Sequence, residues 1–184
     1  MKRMLPILFL FALLTGCGGE KGVEEATSIR SRILQGERCE FTAEITADYS
    51  DAVYVFKMHC VCDASGNIHF EVISPDSIAG ITGQLQGDGG RLTFDEHALL
   101  FSLLADGRLS PVSGPWILMR ALRSGYISGC ESSEDGLTIH IDDTYDQNAL
   151  QVIVKTQQQL PILGEVYDHG KRILTIYIED FSIL

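Results

Sequence analysis

Basic residues are scarce in this chain. Lys and Arg number 14 against 25 Asp and Glu, which gives a formal net charge of −11 over 184 residues. Such a surface is repelled by nucleic-acid phosphates and by anionic lipid headgroups. The composition therefore argues against nucleic-acid binding, and contact with a membrane has to come from something other than a basic face. The acidity suits a basic protein partner, or simply a solvated surface.

Long apolar segments are missing too. Lys2 and Arg3 precede an apolar segment of eleven residues, 4–14, which is too short to span a bilayer but typical of the central region of a signal peptide. The segment ends in Leu14-Thr15-Gly16-Cys17, which resembles the bacterial lipobox. In that motif small residues let the extended chain enter the peptidase, and the cysteine thiol accepts a diacylglyceryl group. The resemblance implies cleavage before Cys17 and anchoring to a membrane through the acylated Cys17.

The predicted domain organisation follows from this leader. Residues 1–16 are a signal peptide, residues 17–23 are the lipidated cysteine with a flexible tether, and residues 24–184 are one domain. Cleavage leaves 168 residues, with 12 basic and 25 acidic side chains and a net charge of −13. That length supports one sizeable core. The predicted location is the extracytoplasmic face of a cell membrane.

Motifs for catalysis are absent as well. The sequence has no Gly-x-Ser-x-Gly elbow, and its glycine-rich segment at 87–90 joins strand to strand instead of leading into a phosphate-binding helix. The paired acids at 134–135 and 142–143 fall in or beside turns, as solvated residues do. No two histidines have the i, i+4 spacing of a helical metal site; they are His59, His69, His97, His140 and His169. We therefore predict a non-enzymatic protein with no cofactor and no metal.

What the sequence does contain is strand periodicity. Apolar and polar residues alternate from Cys39 to Asp48, which is typical of a strand with one buried face. About eleven strands are predicted, joined mostly by hairpin-length turns, with helices at 24–35 and 116–123. Consecutive strands with short turns are antiparallel neighbours, and a long meander curls to bury one face. The predicted class is α+β: a strongly curved antiparallel sheet, or half-barrel, covered by two or so helices.

This order of elements resembles the LolA/LolB-type lipoprotein-carrier superfamily. The shared plan is an N-terminal helix, about six strands with a Pro- and Gly-containing turn after the third (here 74–80), a helix after a Ser-Pro (here Ser110-Pro111), and five closing strands. The resemblance covers about residues 24–184. It implies an apolar cavity on the concave side that binds acyl chains. In some relatives the domain is instead a protein-interaction module of envelope or spore-wall assembly with no lipid cargo.

Apolar side chains of the two helices and the sheet are the candidates for lining such a cavity. They are Ile29, Ile33, Phe56, Met58, Phe70, Leu103, Trp116, Ile117, Met119 and Leu122. Aliphatic and flexible methionine side chains can line a pocket as well as fill a core. Two interpretations stay open from the sequence, a solid core and an acyl-sized cavity.

The cysteines left after cleavage can form disulfides in an exported chain. They are Cys39, Cys60, Cys62 and Cys130. A turn at 49–50 places Cys39 opposite Cys60, with Cys62 diagonal to it. A cross-strand disulfide from Cys39 to Cys60 or Cys62 is therefore a candidate. Cys130 could then pair with the thiol that is left over, or all four cysteines are buried apolar side chains.

Overall fold

The computed structural model describes residues 18–87, 89–94, 97–102, 104–105, 108–145 and 148–184. Cys17, which is the predicted acylation site, and Leu103, which is one predicted cavity residue, lie outside them. The described residues include two helices, α1 (Gly18–Gln35) and α2 (Gly114–Ser124), and a 3-10 turn (Pro111–Ser113) directly before α2. Across the described residues, neither helix is long and apolar enough to cross a bilayer.

Helix α1 begins at Gly18, so the prediction of a flexible tether through residue 23 is wrong for residues 18–23. Residues 18–23 lack the apolar periodicity that predicts a helix, and this part of α1 is stabilised by packing against the sheet. A side-chain Cβ placed on Gly22 would lie 2.8 Å from the Cβ of Cys130, so the helix backbone sits directly against the sheet at this glycine. The predicted end of the helix is confirmed, because the N–H of Gly36 donates to the carbonyl of Arg32 at 3.1 Å.

The rest of the chain is dominated by strands. In order they are β1 (Arg38–Asp48), β2 (Val53–Asp63), β3 (Ile68–Ser74), β4 (Thr82–Gln86), β5 (Gly89–Phe94), β6 (His97–Ser102), β7 (Leu104–Ala105), β8 (Arg108–Leu109), β9 (Tyr126–Ser133), β10 (Gly136–Tyr145), β11 (Asn148–Gln157), β12 (Leu160–Asp168) and β13 (Lys171–Ile183). Strands β7 and β8 form a small pair of their own.

Eleven strands form one antiparallel sheet, in the order β6-β5-β4-β3-β2-β1-β13-β12-β11-β10-β9. This confirms the predicted class, an open, curved antiparallel sheet with two helices. Two hairpin meanders, β1–β6 and β9–β13, join where the first strand pairs with the last, from Cys39 opposite Ile183 to Ala47 opposite Leu174. The terminal strands are β6 and β9.

The core lies between the inner face of this sheet and the helices. Strand β1 alternates buried and half-buried residues along its length, as its sequence period predicts. Helix α1 packs against β9, β10 and α2, and helix α2 packs against β10 through β13. The two helices are also tied to each other, because the guanidinium of Arg30 donates to carbonyls at the C-terminal end of α2. The helices thus lie mainly over the β9–β13 half.

Candidate functional site

The inner face of the sheet continues past the helices onto the first meander. Its path is given by residues that lie directly opposite one another on successive strands, and such residues share a face. One such row is Phe41, Cys60, Phe70, Gly83, Leu92 and Leu99, taken from β1 to β6. Every residue in the row is apolar or glycine, so along this row the inner face is apolar up to the terminal strand.

Exposure rises along this row. Phe41 and Phe70 are 1% and 4% exposed, and both belong to the core. Leu92 on β5 is half-buried. Leu99 on the terminal strand β6 is 62% exposed. The apolar inner surface therefore emerges from the core and becomes accessible at β5 and β6, and we define Leu92, Leu99 and the adjoining Phe70 as the inner patch.

Two glycines keep side chains off the sheet beside this patch. A Cβ on Gly83 would lie 2.4 Å from Cζ of Phe70 and 2.8 Å from the carbonyl oxygen of Arg91. The ring of Phe70 therefore covers the position that a side chain at 83 would take. Gly90 lies opposite Leu85 in the neighbouring row. At Gly83 the absence of a side chain is what leaves room for the ring of Phe70 against the sheet.

The residues predicted from the sequence to line a cavity come together in the structure. Those that lie in the described part of the chain are all buried in one continuous core: Ile29, Ile33, Phe56, Met58, Phe70, Trp116, Ile117, Met119 and Leu122. These side chains would be buried both in a filled core and around a cavity, so their role in lining a cavity stays a prediction. Phe70 alone of this set also belongs to the inner patch.

Sequence reasoning missed Leu92 and Leu99. Strand β6 reads His-Ala-Leu-Leu-Phe-Ser, with leucines at adjacent positions, so its pattern does not say which leucine faces inward. The register of the β5–β6 hairpin is the sequence feature that would have identified the inward-facing leucine. The pairing of Leu92 with Leu99 follows from a two-residue connection between β5 and β6, at 95–96. Leu100 consequently lies on the outer face, where it is 77% exposed.

The outer face of the same strands has a different chemistry. An open pocket of about 450 Å³ lies over β2 to β5, and most of the side chains that line it are polar. They are His59, His69, Glu71, Thr82, Gln84, Arg91 and Thr93, and Val61, Phe70 and Gly83 complete the lining. Nε2 of His59 lies 3.1 Å from Oε1 of Glu40. Among the described residues no group of three or more potential ligands could hold a metal ion.

The cysteines lie in a register that differs from the predicted one. Cys39 is opposite Cys62, whereas Cys60 is opposite Phe41. The connection between β1 and β2 spans residues 49–52, with Ser50 at a φ of 73°, so it is two residues longer than the predicted turn at 49–50. That difference moves the opposite residue from 60 to 62. All four thiols are free in the structure, and Cys39, Cys60 and Cys62 are buried.

Comparison with known proteins gives structural neighbours only. No family model and no curated protein matches the chain. A LolA superfamily protein from Nitrosomonas europaea is 11% identical over 86% of this chain and 93% of its own, with a TM-score of 0.47. A putative outer membrane lipoprotein-sorting protein domain from Vibrio parahaemolyticus is also 11% identical, over 89% and 92%, with a TM-score of 0.48.

A third similar chain belongs to the complex of the CwlD amidase with the GerS lipoprotein from Clostridioides difficile. It is 18% identical over 88% of this chain and 95% of its own, with a TM-score of 0.44. The order of elements in the chain itself is a helix, β1 to β6, a second helix and β9 to β13, as the LolA/LolB resemblance implies. The order of elements that the sequence predicted is therefore present in the structure. The inner patch lies at the end of the first meander, on its last strands β5 and β6.

Proposed function

We propose that this LolA/LolB-like domain binds the acyl chain of a lipid, or a comparable apolar ligand, on the inner face of its sheet and catalyses no reaction. The observation that carries the proposal is the row from Phe41 to Leu99, along which an uninterrupted apolar surface passes from the buried core to an accessible edge. Soluble proteins seldom leave such a surface open unless something binds to it.

The energetics favour an extended apolar ligand. Burying one leucine side chain contributes about 1.5–3 kcal/mol, and each methylene of a bound chain contributes about 0.8 kcal/mol. The inner patch offers Leu92 and Leu99 next to Phe70, whose ring lies over Gly83. An acyl chain in this position would extend the core outward, in the way that α1 and α2 complete it over β9 to β13.

The two adjacent leucines of β6 provide a matched test. The domain comprising residues 18–184 is titrated with the fluorescent fatty acid cis-parinaric acid. Leu99→Asp introduces a charge on the inner face, and we expect it to weaken binding about tenfold to a hundredfold, because one leucine contact is lost. Leu100→Asp places the same charge on the outer face and should leave affinity unchanged. Equal effects of the two variants, or no binding by the wild-type domain, would contradict the proposal.

We further propose that the chain is a lipoprotein anchored through Cys17 on an extracytoplasmic membrane face. Because α1 starts at Gly18, an acyl anchor on Cys17 would hold the domain close to the bilayer with no extended tether. Intact-mass measurement of protein extracted from membranes should show a diacylglyceryl group on Cys17 and loss of residues 1–16. Cys17→Ala should abolish both changes. A protein that keeps its mass and membrane fraction in this variant is not anchored in this way.

A second candidate function is docking of an envelope protein at the free edge of β6. This strand is terminal in the sheet and its sequence, His-Ala-Leu-Leu-Phe-Ser, has no Lys, Arg, Asp or Glu, whereas edges that avoid association usually carry charge. Native mass spectrometry of protein purified from its host separates the two functions. A bound lipid favours the first. An apo mass, with a co-purifying protein that is lost in Leu100→Lys, favours the second.

A further inference from the structure

Cys39 and Cys62 form the one pair of cysteines placed directly opposite each other on neighbouring strands in the described part of the chain. They are 2% and 1% exposed, and both belong to the core on the inner face. We propose that they form a disulfide in the exported protein. The inference rests on the export that the proposed function includes, and it is independent of the ligand.

The strand register places the Cα atoms of this pair within the reach of a disulfide. Arg38 exchanges both of its backbone hydrogen bonds with Leu184 on the β13 side, at 3.2 and 2.9 Å. Since successive residues of a strand bond to alternate sides, the backbone of Cys39 bonds toward β2, which makes Cys39 and Cys62 a hydrogen-bonded pair. Such pairs have Cα atoms about 5.5 Å apart, inside the range of about 4.4–6.8 Å that disulfides span. Their Cβ atoms are also about 5.5 Å apart, so the two strands must draw together by about 1 Å at this pair when the bond forms.

The other two cysteines have no such geometry. Cys60 lies opposite Phe41 on one side and Phe70 on the other. Cys130 is on β9, opposite Ile139 and against Gly22 of α1. Oxidation of Cys39 with Cys62 would leave both as thiols, Cys60 in the core and Cys130 half-buried.

The chemistry of the step fixes when it takes place. Two S–H bonds break and one S–S bond forms, while two protons and two electrons pass to the disulfide of an exported thiol–disulfide oxidoreductase, which becomes a dithiol. Burial raises the pKa of Cys62 to about 12 and also raises the pKa of Cys39. Both thiols are buried in the folded domain, so the oxidoreductase reaches them more readily while the β1–β2 hairpin is still folding.

The bond would lie within the first meander, between β2 and the strand that joins this meander to the second. Strand β1 pairs with β13 of the helix-covered half, and β2 leads into the strands that carry the inner patch. Closing a loop of about two dozen residues restricts the unfolded chain, so reduction should lower the melting temperature by on the order of 10 °C.

Peptide mapping tests the proposal on the full chain expressed in its host. Membranes are quenched in acid, free thiols are blocked with N-ethylmaleimide, and the denatured protein is cut with trypsin without reduction. Cleavage after Arg38, Lys57 and Arg91 gives peptides 39–57 and 58–91, which separate Cys39 from Cys62. We expect these two peptides joined, with a mass two hydrogens below their sum. Fragmentation on either side of Val61 tells Cys62 from Cys60.

Three outcomes overturn or support the pair. A link that fragments at Cys62, and that persists in Cys60→Ala, supports it. A link at Cys60 overturns it, and so does maleimide on Cys39 or Cys62. The same digest reads acylation of Cys17, so an acylated protein with free thiols refutes the disulfide while leaving export and anchoring intact. A disulfide in protein that lacks the acyl group refutes the anchor alone.

Discussion

Arg30 of α1 holds the end of α2, and its removal is the most informative stability test. Nε of Arg30 donates to the carbonyl of Leu122 at 2.7 Å, and Nη2 donates to the carbonyls of Gly125 at 2.7 Å and Ala121 at 3.3 Å. These carbonyls belong to the last turn of α2, where a helix leaves acceptors unpaired and favours a cation. Arg30→Ala deletes all three bonds and the charge.

The expected cost follows from those bonds. Hydrogen bonds to a charged group contribute about 1.5–3 kcal/mol each, and carbonyls left without a donor in a buried place lose their partners outright. Arg30 is half-buried, so water replaces part of the loss, and we expect about 3 kcal/mol for the two shorter bonds together. For a domain of this size that lowers the melting temperature by about 6–12 °C. Arg30→Lys, which keeps the charge but not the fork of donors, should lie between Ala and wild type.

Thermal unfolding followed by circular dichroism measures this change. Trp116, the single tryptophan of the chain, lies in α2 and is buried, so its fluorescence reports whether α2 stays docked. Arg32→Ala is the matched control, because Arg32 is exposed on the same helix and bonds to the side chain of Gln159 at 3.2 Å on the surface. We expect less than about 0.5 kcal/mol from the control. Equal melting temperatures for Arg30→Ala and Arg32→Ala would refute the role of Arg30.

Two further predictions concern the first meander. Gly83→Ala should destabilise the domain by about 1–3 kcal/mol in chemical denaturation, because its Cβ would fall 2.4 Å from the ring of Phe70. Gly129→Ala is the control and should be near neutral, because open space surrounds Gly129. A neutral Gly83→Ala would show that the ring of Phe70 is free to move. At the β2–β3 turn, burial acts to raise the pKa of Asp63, but hydrogen bonds led by Asn67 outweigh it and the net pKa is lowered from 3.8. Because the folded pKa is the lower one, the stability that this carboxylate contributes is complete above the unfolded value and is lost as pH falls through the folded value. Melting temperatures between pH 6 and pH 2.5 should therefore fall less steeply in Asp63→Asn, and parallel curves would contradict this.

The sequence was informative where one face of an element is buried and the other is not. The alternation that starts at Cys39 predicted β1 and its inward residues, and Pro115 and Gly125 bracket α2 as predicted. It was uninformative where both faces are apolar, as at Leu99 and Leu100 in β6. Strand β6 is terminal and pairs only with β5 in the sheet, and its leucines at 99 and 100 are both exposed, so burial does not require its pattern to distinguish two faces.

The other features that the sequence did not predict arise from the backbone and from contacts between distant parts of the chain. The β1–β2 connection turns through Ser50 at a positive φ, and without a glycine there the sequence gives no sign that the loop has four residues instead of two. The first turns of α1 lack an apolar period and are held by contact with Cys130 through Gly22, which is a tertiary effect. The pairing of β1 with β13 joins the two ends of the domain, and no turn connects them.

Both halves of the sheet have an apolar inner face, and the two faces are covered differently. Strands β9 to β13 present apolar inner residues that α1 and α2 cover, and Arg30 fixes the two helices to each other at that place. Strands β4 to β6 continue the same inner face, but Leu92 and Leu99 stay accessible there. If an acyl ligand provides the missing cover, its binding should depend on the inner side of β6 and not on the outer side. Leu99 and Leu100 are adjacent in sequence and differ in little except the face they occupy, so comparing them isolates that dependence from strand stability and charge.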